Sequence, residues 1–246
     1  MNEREARFAV LSDVHSNLEA LEAVLARTHA DDGILCLGDV VGYGPDPNPC
    51  LALIRERVSA AVLGNHDLAA IDGFGVESFN PAARAAIVWT QGVLAVEHAD
   101  WLRTLGYEWR APEFLMVHGA PVEYFDYVLD VAAAKRAFEA TDAPLVFLGH
   151  THLAEYYALE PNGQIRHAHV QQGGELTLQT GTRYLINPGS VGQPRDLNPA
   201  ASLAFYSPDA GRVVWERVPY AVDRVAAKIL AAHLPRANAE RLRRGR

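Results

Sequence analysis

RFAVLSDVHSNLEALEAVLARTHADDGILCLGD, Arg7–Asp39, decides the fold. It opens on an apolar run, Arg7 to Ser12, that reads as a strand. From Asn17 to Thr28 the period changes. Apolar residues at 18, 21, 24 and 25 give helical spacing, and Asn17 supplies an N-cap. GILCLGD then reads as a second strand. Strand, helix and strand in this order form a βαβ unit, which requires parallel strands.

The pattern continues outward. PNPCLALIRER (47–57) reads as a helix with prolines near its start, and SAAVLGN (59–65) as a third strand. From about Asp67 to Leu105 the chain reads as mostly helical, including PAARAAIVWTQGVLAV and HADWLRTL. FLMVHG (114–119) is a strand, VAAAKRAFEA (131–140) a helix and LVFLGH (145–150) another strand. After His152 short strands separated by turns such as PNG, GG and PDAG suggest an antiparallel or mixed second sheet. A helix from about Ala221 to His233 closes it. With no repeat and no long linker, residues 1–246 are expected to form a single domain.

Hydrophobic residues make up 49% and charged residues 21%, the balance of a globular chain. The formal net charge of -8 argues against binding extended nucleic acid. No run approaches the roughly 20 apolar residues of a membrane helix, so no membrane partner is expected. Two cysteines, Cys36 and Cys50, make neither a disulfide framework nor a zinc-finger spacing. The charged start, MNEREARFAVLSD, lacks a signal-peptide stretch, and a cytoplasmic location is expected. The composition is compatible with a homo-oligomer.

The strands end in chemistry. SDVH ends the first, GD the second, GNHD the third, HG the fourth and GHTH the fifth. Ligands of open α/β sheets bind outside the carboxyl ends of the strands. The pooled residues are Asp13, His15, Asp39, Asn65, His66, His118, His150 and His152. These are too many imidazoles and carboxylates for one tetrahedral zinc. They fit two divalent ions sharing a bridging carboxylate, a known device for displacement at phosphorus. Mixed nitrogen and oxygen donors suit Mn²⁺, taken first, or Fe or Zn²⁺.

The ordered set D-x-H, GD, GNHD, HG, GHTH resembles the calcineurin-like metallophosphoesterase family. NPGSVGQPRD (187–196) is similar to its bacterial phosphodiesterase and diadenosine tetraphosphatase-related branch. The resemblance implies an α/β fold, a four-layer α/β/β/α sandwich of two mixed sheets. It implies that Asp13, His15 and His152 bind one metal, that Asn65, His118 and His150 bind the other, and that Asp39 bridges. It further implies that a metal-activated hydroxide attacks phosphorus while His66 protonates the leaving oxygen or stabilises its charge. The substrate is then a small phosphodiester or phosphomonoester. A dinucleoside polyphosphate hydrolase and a non-catalytic binding scaffold on the same fold are the alternatives. The sequence departs from the family at Gly42, where many members carry an aspartate that pairs with the catalytic histidine. Asp67 and Asp46 are the candidates to replace it.

Tyr43, Ser190, Gln193 and Arg195 are expected to contact substrate, arginine suiting phosphate recognition. Tyr43 lies in a Gly/Pro-rich loop that serves equally as a plain turn. An Arg195–Asp196 pair bracing its own loop is the structural alternative. Tyr124, Phe125 and Tyr127 read as packing residues more than as stacking partners for a base. His167 and His169 share the i, i+2 spacing of GHTH but read as a solvated strand face. RANAERLRRGR (236–246) reads as a solvated basic terminus.

Overall fold

The computed structural model of the chain describes residues 6–246. In chain order the elements are β1 (Phe8–Leu11), α1 (Leu18–Leu25), β2 (Gly33–Cys36), α2 (Pro47–Arg57), β3 (Ala60–Ala61), α3 (Asn65–Asp72), α4 (Pro81–Val93) and α5 (Val96–Leu102). Then come β4 (Glu108–Arg110), β5 (Leu115–Val117), α6 (Val131–Glu139), β6 (Leu145–Phe147), β7 (Ala154–Leu159), β8 (Ile165–His169) and β9 (Gly174–Thr177). The chain finishes with β10 (Arg183–Pro188), β11 (Ala201–Ser207), β12 (Arg212–Val218), α7 (Val222–Ala231) and α8 (Arg236–Arg244).

Two six-stranded mixed sheets result, ordered β3-β2-β1-β11-β12-β9 and β4-β5-β6-β10-β7-β8. Alternation along each strand divides the apolar residues between two faces. In β1, Val10 joins Leu35, Phe147 and Trp215 between the sheets, while Ala9 and Leu11 face α1 and α2 with Leu21 and Leu51. On the second sheet's outer side, Phe138 of α6 packs with Val117, Val146 and Leu185. The expected α/β/β/α sandwich is therefore present. β1, β2 and β3 run parallel in one sheet, and β5, β6 and β10 in the other.

Two expectations differ from the structure. The strands after His152 do not build one sheet of their own. β9, β11 and β12 complete the first sheet, while β7, β8 and β10 complete the second. The basic terminus is not a free tail but helix α8, which buries Ala239 and Leu242 against Val225 and Ile229 of α7. Its charged residues occupy one side, so a strongly amphipathic helix was hidden by composition.

Asp196 does not brace Arg195. It accepts a bidentate pair from Arg217 of β12 at 2.7 and 3.0 Å, with both side chains almost fully buried. Removing one partner leaves an uncompensated buried charge. Asp196→Ala is expected to destabilise the fold by about 3–5 kcal/mol. Urea titration checks this, and a loss under about 1 kcal/mol would contradict the buried geometry.

Candidate metal centre

Every residue expected to bind metal, and His66 with them, lies just beyond a parallel strand. Asp13 and His15 follow β1, Asp39 follows β2, and Asn65 and His66 open α3 after β3. His118 follows β5, and His150 and His152 follow β6. The two sheets thus present their carboxyl edges to one place. The turns there are sharp: Asp13, His15, Asp39, His150 and His152 all have φ between 48° and 66°. Such left-handed backbone is uncommon outside glycine and gathers at functional sites. Gly149 permits a close approach, since a Cβ there would meet Ser12 Oγ at 1.9 Å.

Side-chain hydrogen bonds fix which atoms point inward. His15 Nδ1 lies 3.0 Å from Val41 O, His118 Nδ1 2.7 Å from Leu37 O, and His152 Nδ1 2.6 Å from Gln193 O. A carbonyl only accepts, so each Nδ1 carries a proton and each Nε2 is the atom turned inward. His15 Nε2 and His152 Nε2 are 3.2 Å apart, and His152 Nε2 is 3.2 Å from Asp13 Oδ1. That carboxylate oxygen is buried without a hydrogen-bond partner. Three acceptors converge with no donor among them, which a cation satisfies.

The second group is similar. His118 Nε2 lies 3.2 Å from Asn65 Oδ1, 3.3 Å from Asp39 Oδ2 and 3.0 Å from His150 Nδ1. Asp39 Oδ2 is also 3.7 Å from His15 Nε2, placing this carboxylate between the two groups. Each aspartate's other oxygen is held by backbone: Asp13 Oδ2 accepts from His150 N and Asp39 Oδ1 from His66 N.

The electrostatics agree with the donor set. Burial pushes His15, His150 and His152 well below the ordinary imidazole value, so they stay neutral. Burial raises Asp13 to about 6. Burial alone would raise Asp39 as well, but the His118 charge holds it far below the usual range. Burial would lower His118, yet Asp39 overrides it and raises it to about 9. In the metal-free protein a proton on His118 supplies the positive charge, and a metal binding there would displace it. The residues present therefore fit divalent ions.

Comparison with known proteins agrees. The family model described as the calcineurin-like phosphoesterase superfamily domain matches residues 7–210. The chain belongs to this superfamily. An uncharacterised protein of Methanocaldococcus jannaschii is 36% identical over 255 aligned positions, covering 98% of this chain and 99% of the relative. The crystal structure of a metallophosphoesterase from Sphaerobacter thermophilus superposes with a TM-score of 0.87 at 40% identity, covering 99% of this chain and all of that one. A hypothetical protein of Pyrococcus horikoshii shares the fold at a TM-score of 0.77 and 17% identity, over 98% of this chain and 99% of that one.

Around the centre, the chain departs from expectation in several places. His66 is paired with neither candidate aspartate. Asp67 is spent on the backbone N–H groups of Val41 and Gly64, and Asp46 pairs with Lys228. His66 Nδ1 is instead buried without a partner against Gly42. Its ring is held by Tyr43 at 4.7 Å and Phe79 at 4.6 Å. Burial lowers its pKa to about 4, so the resting ring is neutral.

Ser190 and Gln193 do not face a substrate. Ser190 is fully buried; its hydroxyl donates to Asp13 O and accepts from Gln193 N. Gln193 offers its carbonyl to His152 and its side-chain oxygen to Arg195. Both brace the residues behind the centre, because β10 delivers this loop underneath it. Arg195 is half-buried, with Nη2 3.3 Å from Tyr43 Oη and its Nε buried without a partner. Tyr43 is largely buried, its ring against His15 and His66.

Sequence reasoning missed Arg241 of α8, whose guanidinium stands 5.8 Å from the Tyr43 ring centroid, as does that of Arg195. It also undervalued Tyr127, which stacks on His150 at 3.8 Å. A cavity of about 450 Å³ opens beside the centre, lined by Asn65, His66, Phe74, Phe79, Phe125 and Tyr127. Tyr124 stays in packing, stacked on Tyr107.

Proposed function

We propose that the chain hydrolyses a small phosphodiester or phosphomonoester at a centre of two divalent ions. The observation that carries the reading is the convergence of lone pairs from His15, His152 and Asp13 beside a second group of His118, Asn65 and His150, with Asp39 between them. In this reading Asp13, His15 and His152 hold one ion, Asn65, His118 and His150 hold the other, and Asp39 bridges. When bound, such a pair supplies a nucleophilic water at neutral pH and neutralises phosphoryl oxygens, and Mn²⁺ suits the donors, with Fe or Zn²⁺ as substitutes.

The chain's own residues do the rest. His66 lines the cavity with a neutral ring, and in this reading its Nε2 carries the proton. It hydrogen-bonds the leaving oxygen as charge grows there. Arg195 and Arg241 flank Tyr43 and bind non-bridging phosphate oxygens. Arg195→Ala is expected to raise KM by about 10- to 100-fold, since a hydrogen bond to a charged group is worth about 1.5–3 kcal/mol. Saturation kinetics check it, and an unchanged KM would remove Arg195 from substrate binding.

A second reading deepens the first. The aromatic lining from Phe74, Phe79, Phe125 and Tyr127 suits a flat base on the leaving group. Together with two arginines, it favours a dinucleoside polyphosphate such as diadenosine tetraphosphate. A cytoplasmic location belongs to the same proposal and is supported by two free, buried cysteines. The test is Mn²⁺-dependent hydrolysis of bis-p-nitrophenyl phosphate and diadenosine tetraphosphate side by side. Turnover of either supports the enzyme, and their ratio separates the two readings. No turnover of any phosphate ester with two ions bound would favour a binding scaffold.

A further inference from the structure

The second sheet ends in the hairpin β7–β8, and its register makes a cluster the sequence spacing concealed. Glu155 pairs with His169, and Tyr157 with His167. Residues directly opposite in an antiparallel pair, and those two apart on one strand, share a face. All four side chains therefore stand together. Glu155 is buried, His167 is partly exposed and His169 is half-exposed. His167 Nε2 lies 2.7 Å from Glu155 Oε2, and His169 Nδ1 lies 3.3 Å from the same oxygen.

We propose that Glu155, His167 and His169 form a third metal site, separate from the phosphoesterase centre, that takes a divalent transition ion such as Zn²⁺. Two imidazole nitrogens and one carboxylate oxygen lie within 4.8 Å of one another. Three protein donors of this kind, with solvent free to fill the fourth position, are the pattern of an open zinc site. The supporting contacts are also present. The Tyr157 ring lies flat on His167, at 4.1 Å and 4°, and fixes its orientation. Thr151 Oγ1 donates to Glu155 Oε1 at 3.3 Å, holding the carboxylate.

Charge points the same way. The ion-pair partners of Glu155 are these two imidazoles. Burial pushes its carboxyl up to about 7, and the neighbouring His169 and the Thr151 hydrogen bond offset that only in part. Burial also lowers His167, which favours the neutral ring a metal requires. A buried carboxylate facing two imidazoles gains a full counter-charge from a dication and only a hydrogen bond without one. Thr151 stands between His150 and His152, so one hydrogen bond joins this site to the loop of the phosphoesterase centre.

Equilibrium dialysis of the full chain against Zn²⁺, with bound metal counted by mass spectrometry, tests the proposal. His167→Ala/His169→Ala is expected to bind one zinc per chain fewer than wild type. Glu155→Gln, nearly isosteric, is expected to weaken the same ion by about tenfold or more. Circular dichroism reports whether the double variant folds. If it does not, His169→Ala at the half-exposed position carries the comparison together with Glu155→Gln. Wild-type zinc counts and affinity in the folded variants would overturn the site and leave a plain His–Glu hydrogen bond.

Discussion

Asp39→Asn is expected to lower metal affinity by more than about 100-fold, beyond the 10- to 100-fold typical of outer-shell partners. Turnover should fall with it. Asparagine keeps the oxygen that accepts from His66 N at 2.8 Å, so the α3 turn survives. What is lost is the charge between the two donor groups, 3.3 Å from His118 and 3.7 Å from His15. A second readout is independent of turnover. In the metal-stripped protein Asp39 raises His118 to about 9 against the lowering effect of burial. Without that charge burial prevails, and NMR should find His118 titrating below the ordinary imidazole value. The sign extends to stability. A histidine raised on folding stabilises most below its unfolded pKa near 6.5, and the contribution fades as pH rises through about 9. Metal-stripped wild type should therefore lose stability between pH 7 and 9 more steeply than Asp39→Asn. Equal metal content and equal slopes in the two proteins would remove Asp39 from the centre.

The centre was legible because its residues are tied to strand ends. Apolar runs ending in Gly–Asp, Gly–Asn–His or Gly–His mark both the strand and its carboxyl edge, and parallel strands send those edges one way. The donors therefore converge whatever the details of packing. Burial was not legible in the same way. Ser190 and Gln193 sit in a loop rich in polar groups, yet β10 brings that loop beneath Asp13 and His152, where hydroxyl and carbonyl brace rather than recognise. Only the strand order, with β10 between β6 and β7, decides that.

Contacts made across long sequence distances were hidden for the same reason. Arg241 reaches Tyr43 because α8 docks on α7, and α8 looks like a charge run until its buried side is seen. The cavity wall comes from Phe74 and Phe79, in a segment with no motif of its own. His167 and His169 share the spacing of His150 and His152. The first pair meets Glu155 through hairpin register, the second meets Asp13 and His118 through two sheets. Spacing shows that two side chains share a direction, and the partner strand shows what they meet.

His66→Gln is expected to lower kcat by about 10²- to 10⁴-fold, the usual contribution of a positioned acid–base group, with metal content unchanged. Glutamine retains an N–H but not the ring that Tyr43 and Phe79 hold between them. Gly42 makes the matching test. The family resemblance implies an aspartate at this position paired with the catalytic histidine, so Gly42→Asp looks like a restoration. Here the geometry forbids it. A Cβ on residue 42 would lie 2.5 Å from His66 Nδ1, and φ at this residue is +95°, which L side chains rarely adopt. The new side chain would displace the ring instead of orienting it. Gly42→Asp and Gly42→Ala are therefore both expected to lose activity, the alanine because the clash begins at Cβ. Steady-state kinetics beside metal analysis separates the outcomes. A kcat in Gly42→Asp equal to or above wild type would mean that His66 can be carboxylate-paired in this chain, and that its tight seat against glycine has no part in catalysis.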